Sequence, residues 1–174
     1  MLLGLVAFAA FIGEGALADW SAIYVGDVVG AGPTVSAAAF TAFAVGLTLS
    51  RLVMDRVVRR FGAVPVVRAA AAAAAASLGL GLAVPEPVPA LAACALFGMA
   101  TAPIVPLAFS AAGNLGREGA LGWVVAAGYT GGVLGPAAIG LLSDAGGLRV
   151  ALLVVVAAAL LVVPLAGRVR TAVA

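Results

Sequence analysis

Hydrophobic residues fall into six long blocks, and most polar residues lie between those blocks. The blocks run from 2 to 24, 34 to 54, 64 to 84, 90 to 112, 120 to 142 and 148 to 166. A helix rises about 1.5 Å per residue and needs roughly 20 residues to cross a hydrocarbon core about 30 Å thick. Each block is therefore long enough to span a bilayer. Short polar or proline-rich stretches separate them, and Pro85-Glu86-Pro87-Val88-Pro89 is a stop no helix continues through. The pattern predicts an all-α membrane protein in which residues 1–174 form a single domain of six transmembrane helices.

Composition strengthens this reading. The chain is 65% hydrophobic and only 9% charged, where a water-soluble domain carries about a quarter charged residues. Lipid must serve as its solvent, so the bilayer is its first partner. Cys94 is the one cysteine and histidine is absent, so no disulfide forms within the chain. The same count removes multi-thiolate metal sites and the commonest general base. No metal, no cofactor and no enzymatic activity are expected. A net charge of +2 is too small to suggest nucleic acid. Ala16-Leu17-Ala18 has the look of a signal-peptidase site, but no positive charge precedes the first block and Glu14 interrupts it, which favours a retained span.

Arginines set the orientation. Arg51, Arg56, Arg59, Arg60 and Arg68 gather around the connection between the second and third blocks. Arg117 lies between the fourth and fifth, Arg168 and Arg170 lie in the tail, and only Arg149 falls on the other side. Positive charge marks the cytoplasmic face. The expectation is a multi-pass protein of the inner (plasma) membrane with both termini in the cytoplasm.

The first block carries two acids where a membrane helix should have none: Glu14, flanked by Gly13 and Gly15, and Asp19. Glu14 sits roughly 18 Å along a helix that begins at Leu2, near the middle of the hydrocarbon. A carboxylate there costs on the order of 3 kcal/mol and calls for a polar cavity, a partner or a proton. The flanking glycines allow another backbone or a ligand to come close. Asp19 points about 140° away and lies nearer the far interface, where Trp20 and Tyr24 would form an aromatic belt. Ser21, two turns on, shares the face of Glu14. These residues, with Tyr129 of the fifth block, are the candidate substrate or proton pathway.

Two further stretches suggest packing and bending. In the fifth block, Gly128/Gly132 and Gly131/Gly135 form overlapping pairs of small residues four apart, followed by Pro136. Such pairs permit close helix crossing, and a proline adds a kink. In the fourth block, Pro103 and Pro106 free backbone carbonyls, which are tolerated in a membrane only beside protein or a cavity. The Ala69–Ala76 run is a small-residue face for close packing.

The stretch Arg51-Leu52-Val53-Met54-Asp55-Arg56-Val57-Val58-Arg59-Arg60 resembles the cytoplasmic signature of the major facilitator superfamily. That signature is Gly, three residues, Asp-Arg, one residue, Gly, then two basic residues. Asp55, Arg56, Arg59 and Arg60 match, while Arg51 and Val58 stand at the glycine positions. The glycine-proline run ending at Pro136 resembles another motif of the superfamily, and the Glu14 stretch is similar to the seventh span of a bacterial subgroup related to fucose permease. The resemblance implies half of a major facilitator fold: the C-terminal six helices, built as two nested three-helix inverted repeats. It implies proton-coupled transport of a small solute by alternating access, with Asp55 and its neighbouring arginines as a gating latch. It also implies a partner, either a missing N-terminal six-helix half or a second copy. The alternative is a non-transporting subunit or remnant half that keeps only the packing role.

Overall fold

The computed structural model describes residues 1–170. Helix α1 covers Leu2–Ile23 and runs on through a π-helical turn, Tyr24–Val28. Next come α2 (Pro33–Phe61), α3 (Ala63–Ala83), α4 (Pro87–Thr101) and α5 (Ile104–Gly113). The chain continues with α6 (Ala120–Gly146), α7 (Leu148–Ala151) and α8 (Leu153–Leu165). By length and apolarity these make six membrane-spanning units, with α4–α5 forming the fourth and α7–α8 the sixth. The protein is an all-α membrane protein, and an even number of crossings puts residues 1 and 170 on one side, called here the terminal side.

Helix ends follow local chemistry. Pro33 and Pro87 open α2 and α4, where a missing N–H costs nothing. Gly62 and Gly147 close α2 and α6 at φ +83° and +81°, a backbone that only glycine adopts without strain. The second span differs from its expected limits. The basic stretch Asp55–Arg60, expected as a connecting loop, forms the last turns of α2. Arginine is a good helix former, and Arg59 and Arg60 in the final turn favour the negative end of the helix dipole.

Lipid tails are as apolar as leucine, so helices in a membrane associate through close packing rather than hydrophobic exclusion. The two most extensive helix pairings are α1 with α6 and α2 with α4. Both depend on glycine. A Cβ at Gly131 would collide with the Phe8 carbonyl, and one at Gly135 would lie 3.0 Å from the Ile12 Cα. A Cβ at Gly46 would collide with the Ala95 carbonyl, and one at Gly98 with the Phe43 carbonyl. Exchanging spans one, two and three for four, five and six turns one pairing into the other. Sixteen residues separate Gly46 from Gly62 and Gly131 from Gly147, so crossing glycine and terminating glycine recur at the same spacing. This is the mark of a three-helix repeat.

The third span is pinned at its far end. The last carbonyls of a helix have no partner within it. Here the Tyr24 hydroxyl donates to Gly81 O at 3.1 Å, Arg149 Nε donates to Leu82 O at 2.7 Å and Arg149 Nη2 to Ala83 O at 3.3 Å. The lone far-side arginine is thus a helix cap. Of the alanine run, Ala71, Ala74 and Ala75 are buried against neighbouring helices.

Gly131→Leu is expected to destabilise the fold by at least about 1–3 kcal/mol, the usual cost of overpacking. Gly122, in the same helix, faces open space, so Gly122→Leu should be neutral or slightly stabilising. Denaturant titration of the two variants in detergent micelles measures the difference; equal stability would contradict the crossing described above.

Candidate functional site

The buried side chains form two separate cores. One holds Ala16, Leu17, Tyr24, Phe43, Leu78, Phe97, Leu152 and Val155 on the far side. The other holds Leu3, Val6, Ala10, Val67, Ile104, Ala108 and Val162 on the terminal side. Along the first span the first core begins at Ala16 and the second ends at Ala10, with Phe11 packed against it. Glu14 falls in the seam.

The fourth span breaks at the same level. Helix α4 ends at Thr101 and α5 starts at Ile104, with Pro103 as its N-cap. Thr101 lies roughly 21 Å below the start of α4, and Glu14 lies roughly 21 Å below the end of the first span. Pro106 sits in the first turn of α5, where a helix tolerates a missing N–H. The backbone break and the acid share one layer of the bundle.

Glycines hold Glu14 in place. Gly13 abuts Phe97, with a Cβ there only 2.9 Å from the Phe ring, so α1 is pressed against α4 on that side. On the other side Gly15 faces the Gly132 carbonyl, 3.0 Å from where a Cβ would be. Gly132 is four residues before Pro136, whose ring nitrogen offers it no hydrogen bond. The glycine backbone of α1 therefore covers a carbonyl that proline leaves free. Glu14 itself is half-buried, and its Oε1 is buried with no hydrogen-bond partner among the described residues.

The other expected pathway residues spread out. Tyr129 is 62% exposed, and its ring lies 5.3 Å from that of Phe11, one turn from Glu14. Asp19 is exposed and points away from Glu14. Ser21 shares the helix face of Glu14 but is buried at 2% exposure, and its Oγ has no partner among the described residues. Trp20 and Tyr24 do not form an interfacial belt. Trp20 Nε1 donates to Pro136 O at 3.1 Å and Tyr24 caps α3, because carbonyls of neighbouring helices inside the bundle offer both polar tips a partner. Gly128 and Gly132 both face Phe11, completing the glycine face of α6 that receives α1.

Asp55, Arg56, Arg59 and Arg60 are exposed on the terminal-side end of α2, and the Arg60 guanidinium lies 5.5 Å from the Phe61 ring centroid. They are some distance from Glu14 and form a separate cluster. One role escaped the sequence reading: Arg149 as a cap was hinted at only by its lone position on the far side. Arg51, counted with the basic cluster, stands inside α2 ten residues before its end.

No family model matches the chain. It is 37% identical over 170 residues to an uncharacterized transporter of Sinorhizobium fredii, covering 95% of this chain and 45% of that protein. It is 31% identical over 154 residues to an uncharacterized MFS-type transporter of Yersinia pestis, covering 87% of this chain and 40% of that one. It is also 30% identical over 165 residues to the membrane protein MosC of Rhizobium meliloti, covering 93% and 40%. The chain spans less than half the length of these relatives. The chain is thus a six-span membrane protein similar, over 87–95% of its own length, to part of two uncharacterized transporters, one of them MFS-type, and of a membrane protein.

Proposed function

We propose that the chain acts as the C-terminal six-span half of a proton-coupled secondary transporter, in the fucose-permease-related subgroup, moving a small solute by alternating access. The observation that carries this reading is Glu14: an acid in the seam between two cores, level with a helix break, with a buried oxygen that has no partner among the described residues. A group so placed exchanges a proton or a ligand more readily than it braces a bundle. The other half, or a second copy, would cover the wall formed by the second and fifth spans, which are the least buried of the six. Asp55, Arg56, Arg59 and Arg60 form the gating cluster in this reading, and Pro103 and Pro136 are the points of bending. The protein lies in the inner membrane with its terminal side in the cytoplasm, in accord with the arginine distribution.

Glu14→Gln keeps shape and hydrogen-bonding capacity and removes the titratable proton. In proteoliposomes of the complete assembly, uphill solute accumulation driven by a pH gradient should collapse while downhill counterflow persists. Loss of both assigns Glu14 to solute contact, and wild-type behaviour in both, with lowered thermal stability, reduces it to a brace. Asp55→Asn should slow exchange between inward and outward states and leave thermal stability within about 0.5 kcal/mol, since it changes one exposed charge. Unchanged uptake and unchanged outward-facing accessibility would show that the cluster serves only orientation. For topology, in a Cys94→Ala background, Gly30→Cys should react with an impermeant thiol reagent from outside intact cells and Gly116→Cys should not; the reverse pattern would invert the orientation.

A further inference from the structure

Two three-helix units that share one plan differ in how they fill one wedge. Counted from the turn glycines, Gly62 and Gly147, the second and third spans correspond to the fifth and sixth. In the later pair, Ile139 and Val155 are fully buried in the far-side core. The matching positions in the earlier pair are Met54 and Ala70, both half-buried, and there the helices leave a groove of about 780 Å³. The alanine run contributes to this opening. Ala69 and Ala70 line the groove where the sixth span has Val154 and Val155, so methyls stand in for branched side chains on that wall.

The groove has the length and chemistry of a lipid tail. On α2 its wall runs from Leu49 to Phe61, roughly 18 Å of helix, against about 15 Å for one leaflet of a hydrocarbon core about 30 Å thick. It extends from the terminal-side end of α2 to Met99 and Pro103 at the break in the fourth span. Ser50, near the inner end, is the one polar side chain on its walls among the described residues. A polar solute would give up its hydration there and find almost no partner. An acyl chain gives up nothing, and Met54 and Met99 adapt readily to its bends.

The outer end is basic. Around α2, Arg60 stands roughly 20° and Arg56 roughly 60° from Val53 of the groove wall, while Asp55 is roughly 160° away. The Arg60 guanidinium lies 5.5 Å from the ring centroid of Phe61, itself a groove residue, which places a cation at that end. A guanidinium fork matches a phosphate group bidentately. Apolar slot and basic rim thus complement the two parts of one molecule.

We propose that the groove binds one anionic membrane phospholipid, with an acyl chain along the alanine wall and the phosphate on Arg56 and Arg60. Neither half suffices alone: one buried chain gives marginal, reversible binding, and stable attachment needs a chain plus a basic patch. A zwitterionic lipid offers the same chain, but its ammonium group faces the same arginines and is disfavoured. This site is separate from the Glu14 stretch and does not depend on the transport reading.

The complete assembly is reconstituted in nanodiscs of equal parts dioleoylphosphatidylglycerol and dioleoylphosphatidylcholine. Native mass spectrometry then counts the lipid retained, and thermal unfolding titrated with each lipid in detergent gives its affinity. The wild type should retain one phosphatidylglycerol per chain that Ala69→Leu combined with Ala73→Leu lacks. Ala72→Leu, on the same helix but off the groove, should keep it. Arg56→Gln combined with Arg60→Gln should weaken its binding roughly ten- to thirtyfold, as expected for two arginines at an anionic surface. These arginines are exposed, so if the leucine pair does not fold, the arginine pair decides the matter. Equal retention of the two lipids overturns the proposal, as does a phosphatidylglycerol that survives the leucine pair or is indifferent to the arginine pair. Retention of no lipid also overturns it, and cross-linking of Ala73→Cys between two copies, in a Cys94→Ala background, would then give the groove to a second chain.

Discussion

Backbone-to-backbone contact at glycine is the constraint on which this fold depends. Dispersion between side chains is weak per atom pair and must be collected over many close contacts. In lipid there is little else to hold one helix to another. Gly131 against Phe8, and Gly46 and Gly98 against Ala95 and Phe43, bring main chains together in the two largest pairings. Because the same crossing recurs in each half of the chain, the first span is held against the fifth as the fourth is held against the second.

That clamp decides where Glu14 can be. Gly13 and Gly15 are pressed between Phe97 on one side and the Gly132 carbonyl on the other, so α1 has little freedom to rotate. The acid is left in the seam between the two cores, beside the break at Thr101–Ile104. A well-packed core transmits strain and has few voids. A seam with a broken helix and an unpartnered oxygen is the part of the bundle best suited to change shape when a proton or solute arrives.

Much of this was legible in the sequence because a bilayer imposes length and apolarity on every span. The six blocks, the acid within the first and the glycine ladder of the fifth all follow from that demand. The limits of the spans were harder to read. Asp55–Arg60 has a loop's charge, yet a helix in water is not confined to the bilayer thickness, and arginine extends α2 to Phe61. Trp20 and Tyr24 have the composition of an interfacial belt, but the carbonyls of Pro136 and Gly81 that accept from them belong to helices distant in sequence. The caps made by Arg149 depend on tertiary placement in the same way. No local pattern encodes which helix end faces which side chain.

The central claim is that the face carrying Glu14 is the wall of a water-filled cavity in the assembled protein. Its most direct test uses Tyr129, exposed beside Phe11 on that wall. In a Cys94→Ala background, Tyr129→Cys in native membranes is treated with a charged, water-soluble thiol reagent and, separately, with a lipid-soluble maleimide. The account predicts labelling by the charged reagent, with Gly131→Cys, if it folds, protected by the helix crossing. Labelling of Tyr129→Cys by the lipid-soluble reagent alone would put that face against lipid and contradict the account.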